Sequence, residues 1–229
     1  MESSSPSPPF SQTLALYDHF IEDALNGLIG SGQRLGEVSL SRRWGVGRTP
    51  VRETLYRLEQ DGIIVRKPKF GTFIRHIGPA ELVEIYNVRM ANEAVLAPYV
   101  VLRATSAELD ELHQLAAQAD FADCSFLDQF RADQGFHSRL HQLSGLRHAP
   151  HVLGLMRTNM FCAYYTRQLF DADAPIAYQI AQPDHRRIVE VLRSRDSAAA
   201  QDAVRQHLQP ARDRCAKLAS SSSSDTPSP

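Results

Sequence analysis

The sequence contains no run of about 18 apolar residues, which a membrane-spanning helix would require. Its N-terminus lacks the basic segment followed by an apolar segment that marks a secretory signal peptide. Cysteine is scarce, because only Cys124, Cys162 and Cys215 occur, far apart and odd in number. A disulfide framework or a cysteine zinc site is therefore disfavoured. These absences predict a cytoplasmic protein with reduced thiols that has no membrane partner.

The composition is that of a globular protein. Hydrophobic residues make up 43% of the 229 residues, which is enough to build a substantial core. Both ends are rich in serine and proline and carry too little apolar surface to offset the entropy of ordering them. We therefore expect disordered tails over residues 1–10 and 220–229, and a folded part over residues 11–219.

Charge is unevenly distributed, although the net charge is only -1. Ten basic and four acidic residues lie between Ser31 and His76. A local cationic excess favours contact with nucleic acid, because each phosphate that is neutralised releases counterions. A solvated surface explains the patch equally well when it is considered alone.

The first 76 residues predict three helices followed by a hairpin. Apolar residues recur at helical spacing from Leu14 to Ile29 and stop at a Gly-Ser-Gly run, which predicts a first helix of about five turns. Glycines at positions 45 and 47 form a tight turn between the next two helices. The other predicted elements are helices over 37–43 and 48–60 and strands over 63–66 and 72–75. This order predicts a winged helix-turn-helix over residues 11–76.

The third predicted helix has an apolar face and a basic face. Successive residues lie about 100° apart around a helix, so an apolar stripe that begins at Val51 faces the core and Arg52 points away from it. Arg48 and Thr49 occupy the first turn, where free backbone N–H groups favour a phosphate or a base edge. The second helix of a helix-turn-helix enters the major groove, where arginine binds guanine. We therefore predict base or phosphate contacts for Arg48 and Arg52 and a phosphate contact for Thr49. The alternative is that all three are surface residues and that Thr49 and Pro50 only cap the helix.

Further DNA contacts are predicted beside this helix. Arg34 precedes the second helix and is placed to touch the DNA backbone. Lys67, Lys69 and Gly71 lie at the predicted wing. The glycine would permit close approach to a phosphate or to the minor groove.

Beyond a linker at residues 76–79 the sequence has helical periodicity and almost no strand signal. Ser125 and Ser197 are expected to be helix N-caps. The predicted helices span residues 79–103, 106–120, 125–144, 149–170, 184–194 and 197–218. The sequence therefore predicts a mainly α protein, with a winged helix-turn-helix followed by an all-helical domain over residues 77–219.

Four side chains of the second domain have the spacing of metal ligands. Asp133 and His137 are four residues apart, which places them on one face of a helix. His185 and His207 are each 11 residues from the helix break near Asp196, so two antiparallel helices would bring them to the same height. Imidazole and carboxylate together suit Zn²⁺, Ni²⁺ or Mn²⁺ rather than Ca²⁺ or Mg²⁺. The alternative is that these are structural histidines.

The segment GQRLGEVSLSRRWGVGRTPVRETLYRLEQDGIIVRKPKFGTFI resembles the DNA-binding domain of the GntR family of bacterial transcription regulators. The most specific parts are RTPVRE and GTF, whereas Gly47 replaces the usual serine. Residues 79–218 resemble the FCD ligand-sensing domain of the FadR-like branch. Its D-x-x-x-H, E/D-H-R and H-L motifs match Asp133, His137, His185 and His207. Asp184 and Arg147 depart from the family pattern.

The resemblance implies an antiparallel helical bundle that holds a divalent metal, to which a small carboxylate effector binds directly or through water. It also implies a homodimer that binds double-stranded DNA at a palindromic operator and acts as a repressor. Arg89, in the first bundle helix, either pairs the carboxylate of an organic acid or forms a surface salt bridge.

Two other interpretations remain open from the sequence. The bundle could serve only for dimerisation, with the metal structural or absent. The same Asp and His residues could instead belong to a helical metal-dependent enzyme, but no nucleophile motif, P-loop or dinucleotide fingerprint is present. The basic helix-turn-helix would be unused in an enzyme, so we expect a non-enzymatic regulator.

Overall fold

The computed structural model describes residues 9–29, 32–120, 126–149 and 184–222. These residues divide into two compact units, one ending at His76 and the other beginning at Ile77. The elements are α1 (Pro9–Leu25), α2 (Glu37–Trp44), α3 (Arg48–Gln60), β1 (Ile64–Lys67), β2 (Gly71–Ile74), α4 (Pro79–Arg103), α5 (Ser106–Ala119), α6 (Phe126–Leu143), α7 (His185–Arg193) and α8 (Ser197–Ser222). This mainly α architecture, a winged helix-turn-helix followed by a helical bundle, confirms the predicted fold class.

The first helix ends earlier than predicted. Gly27 adopts a φ of 72°, and the N–H groups of Gly27 and Leu28 donate to the carbonyl oxygens of Ala24 and Asp23 at 3.1 Å and 2.8 Å. These two bonds close the helix in a Schellman motif. Ile29 remains buried after the turn. The apolar pattern therefore continues beyond the helix and misled the prediction.

The helix-turn-helix is held together by a small core and by Asp23. Phe20, Val51 and Leu58 are fully buried where α1 packs against α3. The Asp23 carboxylate accepts hydrogen bonds from Arg43 Nε at 2.8 Å and Trp44 Nε1 at 3.0 Å, which fix α2 against α1. Gly45 then adopts a φ of 65° and ends α2.

The wing is a two-stranded antiparallel sheet in which Ile64 pairs with Ile74 and Lys67 with Gly71. Each strand is displaced by one residue from its predicted range. The backbone N–H of Leu35 donates to Thr72 O at 2.7 Å, so the segment before α2 is joined to the edge of the wing. This bond positions the wing beside the helix-turn-helix.

In the second unit, α4 packs along α8, while α5 contacts α6 and α7. The centre of this core contains the fully buried side chains Leu112, Phe136, Leu140, Val189 and Leu192. The helices bring residues from distant parts of the sequence into one bundle. None of the described helices combines the length and the apolar composition needed to cross a bilayer.

Several predicted boundaries need correction. Asp196, not Ser197, caps α8, because its Oδ1 accepts from the N–H groups of Ala198 and Ala199 at 2.9 Å and 3.0 Å. The same helix continues to Ser222, past the predicted boundary at 219, since serine is only mildly unfavourable in a helix. Helix α1 begins at Pro9, before the predicted helical pattern from Leu14 and inside the expected tail of residues 1–10, because proline suits a first helical turn. Ser125 and residues 150–170 of a predicted helix lie outside the described residues.

Candidate DNA interface and candidate metal centre

The N-terminal half of α3 presents its basic side chains to solvent. The side chains of Arg48 and Arg52 are 63% and 61% exposed, and Thr49 is also exposed. Gly47 is the N-cap of α3 and no side chain caps it. The alternative role of Thr49 as a cap is therefore wrong, whereas its DNA contact remains a prediction.

Glu37 connects the two arginines and was missed by sequence reasoning. Arg52 Nε and Nη2 donate to the two carboxylate oxygens of Glu37 at 3.0 Å each, and Arg48 Nη2 lies 3.8 Å from the same carboxylate. The hydrogen bond from Arg52 holds the pKa of Glu37 below its usual value. Ion pairs of such exposed side chains are weak, so a phosphate or base can replace the carboxylate.

Arg34 and Gly71 are in close contact. Gly71 adopts a φ of 125°, and a Cβ atom placed there would lie 2.5 Å from Arg34 Nε. The missing side chain therefore makes room for Arg34, and a contact of Gly71 with DNA remains a prediction. Lys67 and Lys69 are exposed on the wing, and a contact with DNA requires this exposure.

Three histidines of the second unit converge. One ring nitrogen from each of His137, His185 and His207 lies within 4.8 Å of the other two. Asp133 Oδ1 lies 3.6 Å from His137 Nε2 and 3.5 Å from His185 Nε2. The bundle thus brings all four predicted ligands together, from α6, α7 and α8.

Among the described residues, the facing nitrogens have no hydrogen-bond partner. His137 Nε2, His185 Nε2 and His207 Nδ1 are buried and unpaired. A buried polar atom without a partner costs about 1–3 kcal/mol, so three at one point favour an external ligand. Three imidazoles and one carboxylate form the kind of donor set that Zn²⁺, Ni²⁺ or Mn²⁺ accepts. The residues fit a divalent metal.

Two carboxylates orient the histidines from behind. His137 Nδ1 donates to Glu93 Oε2 at 2.5 Å, and His185 Nδ1 donates to Asp120 Oδ1 at 2.7 Å. Each bond fixes the tautomer in which Nε2 keeps its lone pair. A carboxylate behind a histidine commonly supports a metal ligand in this way.

The electrostatics of the cluster also favour a cation. Burial lowers the pKa of His137, and burial together with the other two rings holds the pKa of His207 well below its usual value. Burial would also lower the pKa of His185, but its hydrogen bond to Asp120 and the nearby charge of Asp133 outweigh this effect and raise it. Burial opposes ionisation of Asp133, yet Arg89 and His137 lower its pKa. The site therefore offers a charged carboxylate beside two imidazoles, those of His137 and His207, for which burial favours the neutral form.

Arg89 lies inside the bundle. It is 3% exposed, and its Nε donates to Glu93 Oε1 at 2.6 Å. A surface salt bridge is therefore wrong for this residue. Its Nη2 is 3.6 Å from Asp133 Oδ2 and has no hydrogen-bond partner among the residues that the structure describes. Arg89 thus has a free donor next to the candidate metal centre.

The sequence offered only a weak signal for the supporting carboxylates. Glu93 follows Arg89 by four residues, a spacing that pairs opposite charges on a helix. Asp120 precedes its partner His185 by 65 residues. No local pattern could have indicated that contact.

The comparisons with known proteins follow the same division of the chain. Residues 12–74 match the family described as bacterial regulatory proteins, gntR family, and residues 84–210 match the FCD domain. Both matches confirm the resemblance that the motifs carry.

Similar proteins cover almost the whole chain. The HTH-type transcriptional regulator YdfH of Escherichia coli O6:H1 is 29% identical over 90% of this chain and 88% of its own. The HTH-type transcriptional repressor RspR of E. coli K12 is 28% identical over the same shares. Among solved structures, E. coli McbR/YncC matches with a TM-score of 0.73 and 19% identity over 90% of this chain and 97% of its own. A Rhodococcus sp. RHA1 protein described as a GntR transcriptional regulator gives 0.74 and 19% over 90% and 98%. The two solved structures show the shared fold.

Proposed function

Because the chain belongs to the gntR family of bacterial regulatory proteins and carries an FCD domain, we propose that this DNA-binding transcription regulator is a metal-dependent repressor. Its operator affinity is controlled by a small carboxylate effector that binds at or near a divalent metal. The observation that carries this proposal is the convergence of three unpaired, buried imidazole nitrogens with Asp133 and the free Nη2 of Arg89. The repressor assignment is supported by the name of one relative, RspR.

The metal and Arg89 together define the proposed effector site. His137, His185, His207 and Asp133 would hold the metal, which would supply a Lewis acid for a carboxylate oxygen. Arg89 Nη2 would donate to the same carboxylate, since arginine binds carboxylates through charge-assisted hydrogen bonds. The effector is therefore an organic acid. An inducer of this kind acts by binding the weak DNA-binding state better than the tight one.

DNA recognition is assigned to the exposed face of α3. Arg48 and Arg52 read bases or phosphates in the major groove, and Thr49 contacts a phosphate. Arg34, Lys67 and Lys69 contact the backbone beside it.

We assign dimerisation to an exposed apolar stripe on α4. Val88, Val95 and Leu102 are 48%, 56% and 77% exposed and follow each other at intervals of seven residues, with Tyr99, 37% exposed, between them. This spacing is that of a helix–helix seam. A second copy of the chain would cover the stripe and place two recognition helices on a palindromic operator.

The metal is tested by elemental analysis of the purified protein, which should contain about one divalent ion per chain. The double variant His185→Ala/His207→Ala should lose the ion, because it removes two of the four donors. Stoichiometric metal in the double variant would exclude this ligand set.

The effector is tested by thermal shift of the metal-loaded protein with a panel of organic acids. A binding acid should raise the melting temperature and lower operator affinity. The chelated protein should lose this response. A protein that binds operator but responds to no acid would contradict the sensory role of the bundle and favour a purely dimerising one.

A further inference from the structure

The tip of the wing carries an exposed aromatic side chain. Phe70 is 72% exposed, whereas Phe73 on strand β2 is half-buried. A single exposed apolar side chain is ordinary on a protein surface. Phe70 differs from an ordinary exposed side chain in its position at the tip of the wing and in the positive charge of its neighbours.

The backbone of the tip is constrained. Lys67 pairs with Gly71, and Phe70 N–H donates to Lys67 O at 3.0 Å, so residues 68–70 form a tight loop. Lys69 adopts a φ of 67°, a conformation that glycine or asparagine adopts with less strain. Strained residues of this kind often lie at functional sites. A lysine therefore occupies a position whose backbone conformation favours glycine.

The charges of the residues around Phe70 favour an anionic partner. No aspartate or glutamate occurs between residues 62 and 76, whereas four lysines and arginines do. Arg66 is neutralised by Glu59 at 2.8 Å. Within the described part of the chain, neither Lys67 nor Lys69 is paired with a carboxylate. Lys69 directly precedes Phe70 in the sequence, and Lys67 precedes it by three residues, with its Nζ 5.7 Å from the centre of the Phe73 ring. Both exposed cations are therefore available to phosphates.

We propose that Phe70 is an apolar wedge that enters the minor groove and contacts a base step, while Lys67 and Lys69 bind the flanking phosphates. The minor groove lies next to the major groove across one DNA backbone, and proteins that enter it often insert an apolar side chain between bases. This inference rests on the proposed DNA-binding function of α3. The Phe70 contact would tolerate different base pairs. Its strength would depend on how easily the base step deforms, not on the hydrogen-bonding groups of the bases.

The test measures binding of the full chain to its operator, obtained by selection from a random DNA pool. Affinity is measured by fluorescence anisotropy at several salt concentrations for the wild type and the variants Phe70→Ala, Phe70→Leu and Lys69→Ala. A second duplex set carries 2-aminopurine at single positions beside the α3 footprint, because this base fluoresces more strongly when it is unstacked. Thermal melts check that the exposed substitutions leave the fold intact.

Phe70→Ala should weaken operator binding roughly 5- to 150-fold, the effect expected for loss of one stacking contact between an aromatic ring and a base. The slope of the logarithm of affinity against the logarithm of salt concentration should not change, since no charge is removed. Lys69→Ala should instead reduce that slope by about 0.9, the value for one phosphate contact. Phe70→Leu should retain most of the affinity, and the 2-aminopurine signal should rise with wild type but not with Phe70→Ala.

If Phe70→Ala binds the operator with wild-type affinity and raises the 2-aminopurine signal as much as the wild type does, the wedge is overturned while the regulator function stays intact. A changed oligomeric state of Phe70→Ala in sedimentation, with unchanged DNA binding, would also overturn it and assign the side chain to a protein contact. If the wild type selects no DNA sequence, the proposed regulator function fails and the wedge fails with it.

Discussion

Replacing Asp120 by asparagine is expected to weaken metal binding without removing a metal ligand. Asp120 accepts from His185 Nδ1 at 2.7 Å and from the backbone N–H of His185 at 3.1 Å. Its other oxygen accepts from the backbone N–H and Nε of Arg186, both at 3.2 Å. Asparagine can keep the bonds to His185, but its amide nitrogen would face the two donors of Arg186.

The magnitude follows from the role of the carboxylate. A neutral amide no longer supports the basicity of the His185 ring and holds its orientation less firmly. Loss of such a partner typically lowers metal affinity 10- to 100-fold, which corresponds to roughly 1.4–2.7 kcal/mol. We expect this decrease for Asp120→Asn.

Metal affinity is measured by competition with a fluorescent zinc chelator at neutral pH. Asp110→Asn is the matched control, because Asp110 lies on α5, the helix that Asp120 directly follows, and binds the exposed Arg193 at 2.6 Å rather than a histidine. The control should bind zinc like the wild type. Unchanged zinc affinity in folded Asp120→Asn, or an equal loss in both variants, would refute the assigned role of Asp120.

Three further predictions concern other parts of the chain. Gly71→Ala should lower the free energy of unfolding by roughly 1–3 kcal/mol, because its φ of 125° is strained for alanine and the new Cβ would collide with Arg34; an unchanged chemical denaturation midpoint would contradict this. Hydrogen bonds from the Thr105 N–H and hydroxyl lower the pKa of Glu108. The stabilisation from this cap is therefore fully present above pH 4.5, the ordinary pKa of glutamate, and is lost as the pH falls through the lower pKa of the folded state. Glu108→Gln should therefore be less stable than wild type at neutral pH and converge with it in acid, and a pH-independent difference would count against the cap. Val95→Glu should give a monomer in analytical ultracentrifugation, since like charges would meet across the α4 stripe; a persistent dimer would exclude that surface.

Local patterns predicted the elements that carry the site. The bounds of α3 follow from the glycines before Arg48 and the Asp-Gly pair after Gln60. The convergence of His185 and His207 was correctly expected from their equal distance to one helix break. In contrast, α1 was predicted to end too late, because its apolar pattern continues into a buried turn.

Long-range contacts could not be predicted. Glu37 on α2 binds Arg52 on α3, and Asp120 binds His185, which follows it by 65 residues in the sequence. Such pairs depend on how helices pack, and no sequence period encodes them. The buried position of Arg89 was equally undetermined, since an i, i+4 ion pair with Glu93 suits a surface as well as a core.

The central claim is that Arg52 on α3 reads the operator. The most direct measurement compares the affinity of wild type, Arg52→Ala and Arg42→Ala for the selected operator and for an unrelated duplex of equal length. Arg52→Ala should lower the ratio of operator affinity to unrelated affinity roughly 5- to 150-fold, as expected for one base-reading arginine. Replacement of Arg42, an exposed arginine on α2, should instead weaken binding to both duplexes equally. An unchanged ratio for folded Arg52→Ala would contradict the account.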